Sequence, residues 1–246
     1  MLIGSNVIYY DELTSTNTEA SLLLKTNEIK EGTVIHAGFQ TAGRGQAGNS
    51  WESERGKNLL FSVIIYPDSV ISGEQFLISI AFSLGICDFL DNYVRHSKIK
   101  WPNDIYINND KIAGVLIENS ILGKRMENSI IGIGLNLNQE KFPRNIANPS
   151  SLKIVTGRDY DPEFCLGQLL SCLDKRYKIL LYGDREFLVC EYKSRLFRFG
   201  KWISFKSGKD VFTGRITDII LSGNLAIERK EGGSASYSYG EIEYIL

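Results

Sequence analysis

The run Phe39-Gln40-Thr41-Ala42-Gly43-Arg44-Gly45-Gln46-Ala47-Gly48-Asn49-Ser50-Trp51 organises this 246-residue chain. Three glycines, Gly43, Gly45 and Gly48, enclose a single arginine, and a tryptophan closes the run. The apolar stretch Thr33-Val34-Ile35-His36-Ala37-Gly38-Phe39 leads in, and a second, Asn58 to Tyr66, leads out. The run therefore reads as a long connection between two strands. Glycines let backbone N–H groups approach a ligand closely, because no Cβ intervenes. Arg44 adds a permanent, planar cation. The pattern predicts a loop that wraps an anionic, phosphorylated species. An ordinary long hairpin loop is the plain alternative, and Arg44, Trp51 and the length of the loop weigh against it.

Gly43-x-Gly45-x-x-Gly48 also spells the dinucleotide fingerprint, with Asp68 following at a suitable distance. That fingerprint needs a helix to start at the loop, so that its N-terminus holds the pyrophosphate. Asn49 to Lys57 shows no apolar helical repeat, and the next apolar run is strand-like. No Gly-x-x-x-x-Gly-Lys-Ser/Thr run exists, which excludes a P-loop.

Composition narrows the function classes. A net charge of −1 without a run of lysines or arginines leaves no electrostatic footprint for nucleic acid. Met1-Leu2-Ile3-Gly4 turns polar at Ser5, so no signal peptide is expected, and no stretch has the apolar length of a membrane span. Cys87, Cys165, Cys172 and Cys190 are scattered, with no Cys-x-x-Cys, which fits reduced cysteines in a cytoplasmic protein better than disulfides or zinc. His36 and His96 are the only histidines, and no Gly-x-Ser-x-Gly elbow accompanies them.

Outward from the loop, Asn6 to Leu13 reads as a first strand. Ser15-Thr16-Asn17 follows as a helix start, with Ser15 and Thr18, or Thr16 and Glu19, as capping pairs, and the helix runs to about Thr26. Asn58 to Tyr66 is a strand buried on both faces. Gln75 to about Tyr93 repeats as a core helix. Ile99-Lys100-Trp101-Pro102-Asn103-Asp104-Ile105-Tyr106-Ile107 turns at Asn108-Asn109-Asp110 and returns through Lys111-Ile112-Ala113-Gly114, a hairpin. Pro102 puts Asn103 and Asp104 at an irregular backbone point, and Lys111 starts the return strand, where a solvated lysine is the plain alternative. In the strand Ser129 to Asn138, Gly132 and Gly134 point to one face, as where something flat must lie. Helices are expected from Ser151 to about Gly157, from Asp161 to about Tyr182 and from Asp184 to Leu196. From Gly200 onward short strands predict a small antiparallel barrel or sandwich, so residues 1–199 and 200–246 are read as two domains. The fold class is α+β, a mixed sheet flanked by helices.

Five motifs in this order resemble the biotin protein ligase (holocarboxylase synthetase) family across nearly the whole chain. They are Ser15-Thr16-Asn17, Gly43-Arg44-Gly45-x-x-Gly48 with Trp51, Lys100-Trp101-Pro102-Asn103-Asp104, Lys111-x-Ala113-Gly114, and Gly132-x-Gly134-x-Asn136. The resemblance implies a biotin–lipoyl ligase-like catalytic domain of the class II synthetase kind, with a small SH3-like barrel after it. It also implies a two-step reaction. Biotin and ATP, with Mg²⁺, give biotinyl-5′-adenylate and pyrophosphate, and the acyl group then passes to a lysine of a biotin carboxyl carrier domain. No tightly bound prosthetic group is implied.

By the same resemblance, Lys111 meets the biotin carboxylate and then the adenylate phosphate, and Arg44 belongs to the closing loop. Ser15, Thr16, Asn17 and Gln40 take the biotin ring, beside the backbones of Gly43 and Gly114 and the flat wall of Gly132 and Gly134. Gln46, Asn49, Trp51, Asn103 and Asn136 are placed on the nucleotide side, with Trp51 stacking on adenine or bracing the lid. Asp104 is the carboxylate for Mg²⁺ or for the proton of the incoming lysine, and the sequence leaves both open.

There are departures. Many relatives carry a second arginine where this chain has Gln46, and some carry a basic residue in the last strand, which Gly240 to Leu246 lacks. Relatives that double as repressors have a DNA-binding segment before the first catalytic motif. Here that motif comes by residue 15, so a monofunctional ligase is expected. A lipoate or octanoate ligase or transferase on the same fold, and a non-catalytic biotin sensor, are the alternatives. A homodimer stays open, since relatives pair through sheet edges.

Overall fold

The computed structural model describes residues 1–26, 28–144 and 146–245. A seven-stranded sheet is built from β1 (Val7–Tyr10), β2 (Val34–Ala37), β3 (Leu59–Ile65), β4 (Ser97–Lys100), β5 (Asp104–Ile107), β6 (Asp110–Leu122) and β7 (Arg125–Leu135). Its order is β1-β2-β3-β7-β6-β5-β4. Only β1 and β2 run parallel, so the sheet is mixed, as expected.

Strand periodicity assigns the two faces. Leu59, Phe61, Val63 and Ile65 of β3 and Ile131, Ile133 and Leu135 of β7 enter the main core. The intervening Ile64 and Ile130 join Ala20 and Ile35 in a second cluster. Helix α1 (Thr16–Thr26) packs on β2, β3 and β7 at this second face. Helix α2 (Phe76–Leu90) packs on β4, β5 and β6 and against α4 (Pro162–Tyr182) and α5 (Arg185–Arg195). All but one residue of α2 are buried, so its apolar character runs around the whole helix. The short α3 (Leu152–Thr156) is capped by Ser151, and α4 by Asp161 with Pro162 in its first turn. Buried Arg176 ties the helices together by pairing with Asp88 of α2 and Glu191 of α5. Cys87 is fully buried, and burial pushes its thiol up to about 12, in line with a core role.

The C-terminal strands β8 (Ile203–Ser207), β9 (Asp210–Ile219), β10 (Leu225–Arg229), β11 (Ser234–Tyr237) and β12 (Glu243–Ile245) form a second, antiparallel sheet in the order β11-β10-β9-β8-β12. It meets the segment after β4 at Trp101, whose Nε1 donates to the Gly223 carbonyl at 2.9 Å, and its Phe205, Phe212, Ile216 and Ile227 share the main core cluster. Among the described residues no helix is long and apolar enough to cross a membrane.

Candidate active site

Register across the first sheet builds the floor of the site. Leu60 of β3 pairs with Gly134 of β7, Gly134 with Gly114 of β6, Gly114 with Asp104 of β5, and Asp104 with Lys100 of β4. Laterally paired residues share a face, so glycines from adjacent strands form a shallow trough that ends in Asp104 and Lys100. The next row, Ser62–Gly132–Leu116, lies beside it. A cavity of about 530 Å³ opens over both rows.

The glycine loop forms the cover. Trp51 N donates to the Gly43 carbonyl at 2.9 Å and Gly45 N to the Asn49 carbonyl at 2.7 Å, which closes a narrow hairpin with Arg44 opposite Ser50. A Cβ on Gly43 would run into the Trp51 backbone, so glycine is required by the close approach of the two arms. The hairpin lays Trp51 on the floor. Its indole sits where a Cβ of Gly134 would come within 2.7 Å of Nε1. The flat group that Gly134 admits is thus the protein's own tryptophan. Gly132 makes room for Asn17 instead: a Cβ there would lie 2.9 Å from the Asn17 Cγ.

At the α1 end, the polar side chains are joined. Gln40 Oε1 accepts from the Thr16 backbone N–H at 2.8 Å and from Thr16 Oγ1 at 3.2 Å. The expected capping pair of Thr16 with Glu19 does not form, because Glu19 Oε1 accepts from Tyr10 Oη at 3.0 Å. Ser62 Oγ lies 2.7 Å from Thr16 Oγ1 and 2.6 Å from Asn17 Oδ1. Asn17 Nδ2 donates to Glu118 Oε2 at 2.7 Å, and Glu118 Oε1 takes Arg44 at 2.6 Å. Ser15, Thr16 and Asn17 are each at most 3% exposed, too enclosed for ordinary surface caps.

At the other end, Lys111 Nζ meets Asp104 Oδ1 at 2.7 Å, with Nζ 5.5 Å from the centre of the Trp51 ring. The Lys111 backbone is gripped on both sides: its N–H donates to the Asn148 carbonyl at 2.7 Å and its carbonyl accepts from Ser150 N at 2.9 Å.

Of the residues singled out from the sequence, Ser15, Thr16, Asn17, Gln40 and Arg44 line the cavity at the α1 side and lid. Gln46, Asn49, Trp51, Asn103, Asp104 and Lys111 line the remainder, over Gly114, Gly132 and Gly134. Gly43 and Asn136 do not line it. Gly43 sits at the neck of the loop, and Asn136 Nδ2 donates to the Ser150 carbonyl at 2.9 Å, bracing the segment that grips Lys111. Asn103 Nδ2 donates to the Val115 carbonyl while its own carbonyl accepts from Val115 N, so it pins the turn to β6. The Trp101–Pro102 peptide in that turn is cis. Glu118, Ser62 and Tyr244 were not singled out from the sequence, and Lys100 was quoted there only as part of its motif, with no role given to it. Lys100 and Tyr244 line the cavity, as does Tyr239, which lies between β11 and β12. Gln46 Oε1, Trp51 Nε1 and Tyr244 Oη are buried without a partner, which marks a cavity built around polar groups it does not itself supply.

The sequence matches the Biotin/lipoate A/B protein ligase family over residues 9–136. It is 31% identical over 240 residues to the bifunctional ligase/repressor BirA of Bacillus subtilis, covering 96% of this chain and 74% of that protein. This chain belongs to the biotin protein ligase family. The biotin–[acetyl-CoA-carboxylase] ligase of Paracoccus denitrificans is 32% identical over 158 residues, covering 61% of this chain and 63% of that protein. Among solved structures, the biotin protein ligase of Aquifex aeolicus in complex with biotin and ATP superposes with a TM-score of 0.80 at 26% identity, covering 97% of this chain and 98% of that one. The shared ligase fold extends through the C-terminal sheet.

Proposed function

We infer that this chain is an ATP-dependent biotin protein ligase, which adenylates biotin and passes the acyl group to a lysine of a biotin carboxyl carrier domain. One observation carries the reading beyond kinship. Lys111 is paired with Asp104 at 2.7 Å at the edge of the glycine floor, under Trp51, inside a cavity whose far end is the polar cluster at α1. The neutral biotin ring matches Ser15, Thr16, Asn17 and Gln40, which offer donors and acceptors without net charge. Its carboxylate then reaches toward Lys111.

The chemistry needs cations. A carboxylate and a triphosphate repel, so adenylation requires fixed positive charge where they meet and where charge builds at phosphorus. Lys111 supplies it from the floor and Arg44 from the lid. The lid also keeps water from the mixed anhydride. In the second step a carrier lysine attacks the acyl carbon, AMP departs, and Lys111 is placed to neutralise the phosphate that leaves. Asn136 works at one remove, by holding Ser150 and through it the Lys111 backbone.

Mg²⁺ binds ATP through phosphate oxygens and few protein carboxylates. The residues fit such a metal. Asp104 and Glu243 are the carboxylates that line the cavity, and among the described residues no group of three metal-ligating side chains exists. A Mg²⁺ carried in by ATP would find Asp104 beside Lys111 and would share the neutralisation of the phosphates. The units 1–199 and 200–246 divide the work in this reading: the first holds biotin and ATP, and the second closes one side of the cavity through Tyr239 and Tyr244. The net charge of −1 supports a ligase that does not bind DNA.

The test is direct. The chain is incubated with biotin, ATP, Mg²⁺ and a carrier domain, and the domain is weighed by mass spectrometry. One biotinyl group on its acceptor lysine is the expected result. A carrier that gains mass only with lipoate or octanoate, or never gains any from a chain that binds biotin, would replace the reading.

A further inference from the structure

Three basic side chains line the cavity: Arg44, Lys111 and Lys100. Arg44 has Glu118 at 2.6 Å and Lys111 has Asp104 at 2.7 Å. Among the described residues Lys100 has no carboxylate within ion-pair distance. It is held by other means. Its Nζ lies 3.4 Å from Tyr106 Oη and 5.1 and 5.2 Å from the ring centres of Tyr106 and Tyr244. Aromatic faces seat a cation without cancelling its charge. Burial pulls the Lys100 ammonium below the ordinary lysine range; Asp104 acts against this, and Lys111 and Arg198 add to it. The Tyr244 ring that helps seat it carries a hydroxyl that is buried without a partner. A half-buried cation without a carboxylate partner, seated against a ring whose hydroxyl has no partner, is an incomplete anion site.

Its place in the trough says which anion. The row runs Leu60–Gly134–Gly114–Asp104–Lys100, with α1 packed near its β3–β7 end and Lys100 at the other. Displacement at phosphorus is in line, so the leaving group departs opposite the attacking oxygen. A carboxylate that comes from α1 drives the leaving group toward β4, Lys100 and Tyr244. We propose that Lys100, seated against Tyr106 and Tyr244, receives the β- and γ-phosphates of ATP and stabilises pyrophosphate as it leaves, an assignment that rests on the biotin-adenylation reading. A biotin carboxylate oxygen bonds to the α-phosphorus as the bond from that phosphorus to the α–β bridging oxygen breaks. The electron pair leaves on the bridging oxygen with pyrophosphate, and no proton moves. The C-terminal sheet, which carries Tyr244 but no basic residue near its end, thus acts on the phosphates through a lysine of the catalytic unit.

Biotin-dependent exchange of labelled pyrophosphate into ATP is measured for the wild type, Lys100→Met, Lys100→Arg and Tyr244→Phe. The same proteins are titrated with synthetic biotinyl-5′-adenylate and assayed for its conversion to biotinyl hydroxamate by hydroxylamine. Lys100→Met is expected to raise KM for pyrophosphate and ATP by about tenfold or more, the effect of losing one charge-assisted contact. Lys100→Arg restores most of it, and Tyr244→Phe gives a smaller rise with its ring intact. Adenylate affinity and hydroxamate formation, which involve no pyrophosphate, hold within about twofold. Unchanged KM for pyrophosphate in Lys100→Met, or in Tyr244→Phe should Lys100→Met not fold, overturns the proposal. An equal loss of adenylate affinity also overturns it, by assigning Lys100 to the α-phosphate. A wild-type protein without biotin-dependent exchange would overturn the adenylation reading itself, a result separate from any change in the variants.

Discussion

Trp51 rests on Gly134, its indole filling the space a side chain would need at that position. The two residues lie 83 positions apart, and the ring is held in place by the hairpin neck, where Trp51 N donates to the Gly43 carbonyl at 2.9 Å. The ring lines the cavity, and its Nε1 is buried without a partner.

Gly134→Ala tests that contact. Its methyl group must displace the indole, since a Cβ would come within 2.7 Å of both Nε1 and Cζ2. Biotin still reaches α1, but the lid no longer seats. Biotin-dependent pyrophosphate exchange should fall about tenfold or more, with a stability loss of about 1–3 kcal/mol from overpacking. Trp51 fluorescence read beside exchange kinetics checks both. An unchanged spectrum with full exchange would show that the ring can move at no cost.

Much of this site was legible in the sequence because its signals are local. Gly43-x-Gly45 marks a loop whose arms touch, Gly132-x-Gly134 marks one face of one strand, and Lys111 follows a turn that fixes its place in a hairpin. What stayed hidden depends on register between distant strands. Glu118 meets Arg44 across 74 positions, and Ser62 meets Asn17 across 45. Neither is unusual for its own strand. Nor did the order of residues show that Tyr244 of the second sheet faces Lys100. The periodicity of the Ser129–Asn138 strand showed an open face but not its occupant, because a tryptophan from the chain and a ligand need the same space. The Thr16–Glu19 capping box failed because Tyr10 and Gln40 offered both residues better partners.

Glu118 holds Arg44 and Asn17 at once. The Arg44 pair is half exposed, with side-chain exposures of 48% and 34%, so it adds little to stability. In Glu118→Gln the amide oxygen still serves Asn17, but Arg44 is released. The free protein should lose less than about 1 kcal/mol in denaturant unfolding. The 43–51 loop should be cut faster by protease, and biotinyl-5′-adenylate should protect it again as Arg44 turns to the phosphate. Equal cleavage with and without Glu118 would remove the latch from the account.

Lys111→Met removes the cation and leaves Asp104 without its partner. The adenylation rate should fall by about two to three orders of magnitude, as when a preorganised charge is removed from a site of developing charge. Lys111→Met with Asp104→Asn should fold better than Lys111→Met alone, because no carboxylate is then left uncompensated. Single-turnover adenylation and thermal unfolding of the three proteins check this. A double variant less stable than the single one would contradict the pairing.

Asp174 on α4 anchors the start of the chain. It accepts from the backbone N–H groups of Leu2 at 2.6 Å and Ile3 at 3.0 Å and pairs with Lys178 at 2.8 Å. Burial pushes its carboxyl up, but the Lys178 hydrogen bond and the two N–H groups together outweigh it and hold the group below the usual carboxylate range. A carboxyl depressed in the folded state stabilises above its unfolded pKa, and that stability is lost as pH falls through the folded value. Asp174→Asn should therefore cost about 1–3 kcal/mol at neutral pH, and the gap from wild type should close in acid. Urea titrations across pH check the slope. A gap that stays constant into acid would mean that the charge of Asp174 contributes nothing.

The central claim is that this cavity joins biotin to ATP. Pyrophosphate exchange into ATP, with Mg²⁺ and with biotin, lipoate or octanoate offered separately, tests it most directly, using the wild type and Lys111→Ala. The account predicts exchange that requires biotin and collapses in the variant. Exchange driven by lipoate or octanoate but not biotin, or none at all from a folded chain that binds biotin, would contradict it.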